Sequence, residues 1–185
     1  MRVLVLSLLI VITDQLSKLA VRGLSLPALG IDWPGLPYGS SRQVLGDFFR
    51  LTYIENPGMA FGLDIGGKLF FSIFSLVASI AIVAYLYHVR RTDLKFRLAL
   101  AMILGGAVGN LIDRLFYGVL FGGAPLFHGR VVDFMDLDFF DISIGSFQIT
   151  RWAVFNVADA FVTVGVILLV LFVLMVVSCF LIFAT

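Results

Sequence analysis

Four apolar runs dominate this chain, approximately Val3 to Val21, Leu69 to Tyr87, Phe96 to Leu115 and Phe155 to Phe183. A hydrocarbon core of about 30 Å takes about 20 helical residues to cross, so each run is long enough for one transmembrane helix. With 61% hydrophobic and 14% charged residues over 185 positions and a mean hydropathy of +1.07, the chain is too apolar for a soluble domain. The expected architecture is an all-α membrane core of four transmembrane helices, one integral-membrane domain over residues 1–185. Arg2 ahead of the first run imitates a signal peptide. Asp14 and Lys18 interrupt the tail of that run and no A-x-A cleavage site follows, so it is read as a retained span.

Charge narrows the function classes. A net charge of +1, with no Lys/Arg cluster interleaved with aromatics, leaves no field for nucleic acid. Cys179, the only cysteine, excludes an internal disulfide and is expected to be buried packing. The short connection between spans two and three carries Arg90, Arg91, Lys95 and Arg97, whereas the longer loops, about 23–68 and 116–154, are poor in cations for their length. The positive-inside rule therefore puts that connection and both termini in the cytoplasm.

In this orientation the intramembrane charges converge. Asp14 and Lys18 lie in the outer half of span one; Asn110, Asp113 and Arg114 end span three; Asn156 and Asp159 open span four, within about 10 Å of the outer surface at 1.5 Å per residue. Span two has none. A carboxylate at a bilayer-spanning helix centre costs about 2.5–3.5 kcal/mol on insertion scales, so these residues imply a shared polar interior. Asp14 with Lys18 and Asn110 with Arg114 are i, i+4 neighbours, and Asn156 with Asp159 are i, i+3 neighbours. Gly105, Gly106, Ala107 and Gly109 are read as a packing surface for another helix.

The loops carry weaker patterns. Pro27, Pro34 and Pro37 stand among glycines, then Phe48 to Glu55 reads as a strand ending at the Asn56-Pro57-Gly58 turn. A small extracytoplasmic β element is expected there; the second loop holds Val131, Val132, Asp133 and Phe134 and a weak alternating run from Ile142 to Ile149, and Arg151 with Trp152 suits an interfacial anchor. Asp136, Asp138 and Asp141 are read as a solvated loop face, since their calcium-like spacing lacks the rest of an EF-hand loop.

Two close carboxylates sharing one proton can act as base on a water and acid on a carbonyl oxygen, which is aspartyl peptide hydrolysis. Spacing does not choose the pair among Asp14, Asp113, Asp133, Asp136, Asp138, Asp141 and Asp159, and proton or ion transport through the same carboxylates stands level with proteolysis. Other chemistries lack parts. There is no H-E-x-x-H or G-x-S-x-G; His88 is at the far end of span two, and His128 is a lone loop histidine.

Five blocks taken in order add a resemblance: Asp14-Gln15-Leu16-Ser17-Lys18, Asn56 to Gly62 (NPGMAFG), Gly105 to Arg114 (GGAVGNLIDR), Val131-Val132-Asp133-Phe134, and Phe155-Asn156-Val157-Ala158-Asp159. In them the chain resembles the lipoprotein signal peptidases, the signal peptidase II family of bacterial inner membranes. The resemblance implies that Asp133 and Asp159 are catalytic, that Asn56, Gly58, Asn110, Arg114 and Asn156 line the site, that Asp14 and Lys18 form a supporting pair, and that Asp113 orients neighbours. It implies a diacylglyceryl-modified prolipoprotein as substrate, cut before its lipid-bearing cysteine, with water as nucleophile, membrane lipid as surroundings and no separate cofactor; no metal and a monomer are the further expectations. Two segments exceed what the resemblance accounts for: Leu115 to Arg130, and the Pro/Gly-rich stretch ahead of Gln43.

Overall fold

A computed structural model describes residues 2–60, 63–64, 67–138, 142–144, 147–149 and 151–183. Among them, four helical stretches are long and apolar enough to cross a membrane: Leu4–Arg22, Leu69–His88, Leu94–Phe121 and Val157–Leu181. α1 (Leu4–Arg22) buries Ser7, Ile10, Asp14, Lys18 and Val21, a stripe at helical spacing, and exposes Val5, Leu8, Leu9, Ile12 and Leu16. Polar groups inside and apolar groups outside is the arrangement lipid demands.

α3 (Leu94–Ile112) is the central helix, packed against α1, α2 (Gly67–His88) and α5 (Val157–Phe183). Asp93 caps its start by accepting the Lys95 N–H at 2.7 Å. The glycine run works as packing: Gly105 lies against Ile10 and the Ser7 carbonyl, Gly106 against Ala158 and Val162, and Gly109 against Asp14 and Ala158. Ser7 Oγ donates to Ala101 O at 2.7 Å, which replaces water for both groups.

Span three does not stop at Leu115 as expected. It continues through a π-helical turn, Asp113–Tyr117, into α4 (Gly118–Phe121), because Phe116, Val119, Leu120 and Phe121 extend the apolar run. The chain returns to cover the turn: the Gly129 N–H donates to Arg114 O at 2.9 Å and the Phe127 N–H to Leu115 O at 3.4 Å. A π turn inside a helix commonly marks a functional site.

The β element is larger than expected. β1 (Leu24–Leu26) and β2 (Ile31–Trp33) form a hairpin around a 3₁₀ turn, Pro27–Leu29, in the Pro/Gly-rich stretch. β3 (Ser41–Leu45), β4 (Phe49–Asn56) and β7 (Val131–Leu137) make an antiparallel sheet in the order β3-β4-β7. β5 (Met59–Ala60) pairs with β6 (Leu63–Asp64), and β8 (Ile142–Ile144) with β9 (Phe147–Ile149). Phe61, Gly62 and Asp141 lie outside the described residues. Val21, Tyr53, Tyr117, Val132 and Phe134 form the core that joins the sheet to the helix ends.

Two expectations are corrected. Cys179 is exposed, because the last turns of α5 face outward along with Val176, Val177 and Phe180. Asp136 is buried rather than part of a solvated face: it accepts from Thr52 Oγ1 at 2.7 Å and pairs with Arg151 at 2.9 Å. Arg151 also reaches Asp138 at 3.1 Å and the Asp47 carbonyl at 3.1 Å, so it ties the end of β7 to the turn between β3 and β4.

Candidate active site

β7 runs between two segments that each carry an asparagine. On one side β4 pairs with it, Ile54 opposite Asp133 and Asn56 opposite Val131. On the other, the N–H groups of Phe134 and Met135 donate to Phe155 O at 3.0 and 2.7 Å, and the Phe155 N–H returns to Met135 O at 3.2 Å. Asn156 therefore leaves the sheet beside Asp133, and α5 begins at the next residue.

Asn156 is the N-cap of α5 and Asp159 its third residue. Asn156 Oδ1 accepts the Asp159 N–H at 2.9 Å, and Asp159 Oδ2 accepts the Asn156 N–H at 3.3 Å. This reciprocal pair is a capping box, which is why an Asn stands three residues before an Asp here. The expectation of two neighbours on a helical face is corrected to a helix start. The Asn156 amide remains free to act elsewhere, and it donates to Asp133 Oδ1 at 2.6 Å and to Asn110 Oδ1 at 3.1 Å.

Asn110 completes the ring. Its Nδ2 donates to Asp159 Oδ1 at 2.7 Å. Asn56 reaches Asp133 from the opposite side: its Oδ1 accepts the Gly58 N–H at 2.9 Å, and its side chain hydrogen-bonds the carboxylate. Gly58 sits at φ 105°, a conformation open to glycine. Asp133 is 3% exposed, and Asp159 is only partly buried. Burial and the Asp159 charge push the Asp133 carboxyl up to about 7, against the stabilising bonds from Asn156 and Asn56.

Beneath this ring lies a fully buried cation. Lys18 Nζ is 2.8 Å from Asp14 Oδ2, 2.8 Å from Asp113 Oδ2 and 2.9 Å from Asn110 Oδ1, so each of its three N–H bonds has an acceptor. Both carboxylates have a second task. Asp14 Oδ1 accepts the Ala158 N–H at 2.9 Å, and Asp113 Oδ2 accepts the Val132 N–H at 3.1 Å. Arg114 extends toward Ser75 Oγ at 3.4 Å, and its charge acts on Asp159, Asp113 and Asp133.

All ten residues singled out from the sequence gather here, Gly58 through its N–H. Three more belong to the network. Gln15 Nε2 approaches Asp14, Asp113 and the Gly109 carbonyl at 3.1, 2.9 and 3.1 Å, and its Oε1 accepts from Tyr117 OH at 3.1 Å. Gln15 had a signal, its place beside Asp14 in the first block; Tyr117 and Ser75 had none. Asp136 and Asp138 stand apart with Arg151. Among the described residues no group of three His, Cys, Asp or Glu side chains could hold a metal ion. The arrangement offers two carboxyls joined through one asparagine, one of them pushed up to about 7, above a buried Lys18–Asp14–Asp113 cluster.

Residues 6–175 match the family model described as signal peptidase (SPase) II. The lipoprotein signal peptidase of Moorella thermoacetica is 40% identical over 167 residues, 90% of this chain and 88% of that protein. The lipoprotein signal peptidase of Porphyromonas gingivalis (strain ATCC 33277) is 36% identical over 156 residues, 69% of this chain and 68% of that one. Among solved structures, one described as a bacterial membrane enzyme determined by the in meso method at 1.9 Å superposes with a TM-score of 0.68 and 29% identity, covering 94% of this chain and 92% of its own. The chain belongs to the signal peptidase II family of membrane proteases.

Proposed function

We propose that the protein removes the signal peptide from diacylglyceryl-modified prolipoproteins of a bacterial inner membrane, cutting before the lipid-bearing cysteine with Asp133 and Asp159 as an aspartyl dyad. The observation that carries this reading is the bridge between the two aspartates: the Asn156 amide donates to Asp133, and Asn156 and Asp159 each accept the other's backbone N–H on a side-chain oxygen. They come from separate elements, and the Asp133 carboxyl is pushed up to about 7, so that a substantial fraction keeps its proton near neutral pH.

In the proposed reaction the Asp159 carboxylate takes a proton from water as the water oxygen attacks the scissile carbonyl, and Asp133 gives its proton to the carbonyl oxygen. The tetrahedral diol then collapses: one diol O–H returns its proton to Asp133, the C–N bond breaks, and Asp159 passes its proton to the leaving amine. Arg114 and the Asn56 amide provide donors for substrate carbonyls near the dyad. Lys18, Asp14 and Asp113 act behind the aspartates, through backbone N–H groups. The loop cations Arg90, Arg91, Lys95 and Arg97 support an orientation with both termini in the cytoplasm and the sheet outside. A lipid-modified cysteine keeps its acyl chains in the outer leaflet, which brings the adjoining peptide bond to the depth of the sheet end of the bundle. The protein is proposed to work as a monomer.

The test is cleavage of a diacylglyceryl-modified prolipoprotein by purified protein in detergent, comparing the parent with Asp133→Asn and Asp159→Asn. Cutting before the modified cysteine by the parent, and none by the folded variants, is the expected result. An inert parent under conditions that support a known peptidase of this type would turn the reading toward carboxylate-based transport, which needs a sealed membrane. Variants that still cut would remove the dyad.

A further inference from the structure

The Pro/Gly-rich stretch ahead of Gln43 takes no part in the site, yet it is ordered around one feature. In the β1–β2 hairpin Leu24 pairs with Trp33, Ser25 with Asp32 and Leu26 with Ile31. Paired residues share a face and successive pairs alternate, so Leu24, Leu26, Ile31 and Trp33 occupy one face and Ser25 and Asp32 the other. At the tip, Leu29 is 72% exposed; Trp33 is 57% exposed, and Leu26 and Ile31 are exposed too. A two-stranded hairpin is at best marginal in water, and one with a bare apolar face is worse.

The hairpin is also fixed in place. Trp33 Nε1–H donates to Ala20 O at 2.8 Å, and the Leu36 N–H donates to Val21 O at 2.7 Å. Gly23, at φ 94°, lies so close that a Cβ there would meet the Trp33 and Pro34 carbonyls at 2.7 Å. Its base is thus locked to the last turn of a membrane-crossing helix, whose Leu16 and Ile12, one and two turns earlier, are exposed. From residue 23 to 41 the sequence has one charge, Asp32, and no Lys or Arg. That favours lipid over a charged protein partner, and tryptophan at a bilayer boundary is a common anchor.

We propose that the Leu24–Trp33 hairpin is an interfacial anchor whose apolar face lies among the lipids of the leaflet at the sheet end of the bundle. Through α1, which carries Asp14 and Lys18, the anchor sets the depth at which the sheet and its aspartates meet the membrane. The inference concerns the hairpin and stands independently of the peptidase reading.

The experiment uses the whole protein with Trp152→Phe, leaving Trp33 as the single tryptophan, in phospholipid nanodiscs. Expected: lipids brominated near the glycerol end of their acyl chains at least halve Trp33 emission, and aqueous iodide has little effect. A Trp33→Phe control loses the signal. Quenching by iodide without quenching by brominated lipid would put the face in water and overturn the anchor. Insensitivity to both would mean that protein, such as a second copy of the chain, covers it, and would overturn the anchor as well.

Discussion

Lys18 is shared by two carboxylates, and each holds the N–H of the residue just before one aspartate of the proposed dyad: Asp14 that of Ala158, Asp113 that of Val132. The cation therefore sets the backbone under both aspartates without touching either. Lys18→Met keeps the bulk and removes the charge, leaving two buried carboxylates facing each other. Breaking a buried pair this way costs about 3–5 kcal/mol, so the variant is expected to melt far below the parent in detergent and to lose cleavage. A melt within error of the parent would show that the carboxylates find other partners. Asp133 yields a second prediction, with a definite sign. The unfolded carboxyl ionises near pH 4 and the folded one at about 7, so between these values the native state holds a proton that the unfolded chain has released. Stability contributed by this group falls as pH rises through that interval and is flat above it. Asp133→Asn removes the cost: relative to the parent it is expected to gain a few kcal/mol between about pH 5 and about pH 8, measured as paired thermal melts. A constant difference at both pH values would mean Asp133 carries no shifted proton. Parent kcat/KM should likewise decline above about pH 7 as Asp133 loses the proton it donates.

At the scale of elements, the glycine run and the Asn-x-x-Asp spacing were both legible, with different success. The small residues of α3 announce close helix contact, and Gly105, Gly106 and Gly109 meet α1 and α5 as expected. Asn156 and Asp159 were visible as neighbours, but their capping role depends on where the helix begins. That is fixed by the Phe155 bridge to Met135, a contact between distant parts of the chain. The π turn was invisible for a similar reason. Asp113 and Arg114 mark the segment as polar, but nothing in Asp113 to Tyr117 signals a change of helical hydrogen bonding, and the Gly129 N–H that covers the turn arrives from a later loop. Gly106 tests the packing. A Cβ there would overlap the Ala158 carbonyl and press on Val162, whereas at Gly122 the nearest contact is 3.4 Å away, at the Gly118 carbonyl. Gly106→Ala is expected to cost about 1–3 kcal/mol and to lower kcat by displacing the first turn of α5, and Gly122→Ala to leave both near the parent. Equal melts for the two variants would show that α5 moves aside without strain.

For the whole molecule, the four spans were readable because apolar length is a local property, and their ends fall within a few residues of expectation except at α4. The sheet was partly readable: β4 showed as a strand-like run, whereas β7 is fixed by pairing with β4, which brings Asn56 to Asp133 and joins segments far apart in sequence. The proposed orientation rests on another whole-molecule property, the sidedness of charge. Arg90, Arg91, Lys95 and Arg97 lie at the opposite end of the bundle from the dyad; Arg90, Arg91 and Lys95 are exposed and Arg97 is half-buried, with contacts such as Arg97 to the Arg90 carbonyl at 2.9 Å and Arg90 over the Tyr87 ring. Replacing all four by Gln should therefore disturb insertion far more than folding. With Cys179→Ser as background, a cysteine at Thr92 in the α2–α3 turn or at Gln43 on β3 reports the side. In spheroplasts an impermeant maleimide is expected to label Gln43→Cys at once and Thr92→Cys only after permeabilisation. With the four cations neutralised, part of the Thr92→Cys population should become reactive in intact spheroplasts, and cleavage should fall in proportion, because an inverted enzyme presents its aspartates to the cytoplasm. Immediate labelling of Thr92→Cys in the otherwise unchanged chain would reverse the orientation, and would put the aspartates on the side away from the acyl chains of the proposed substrate.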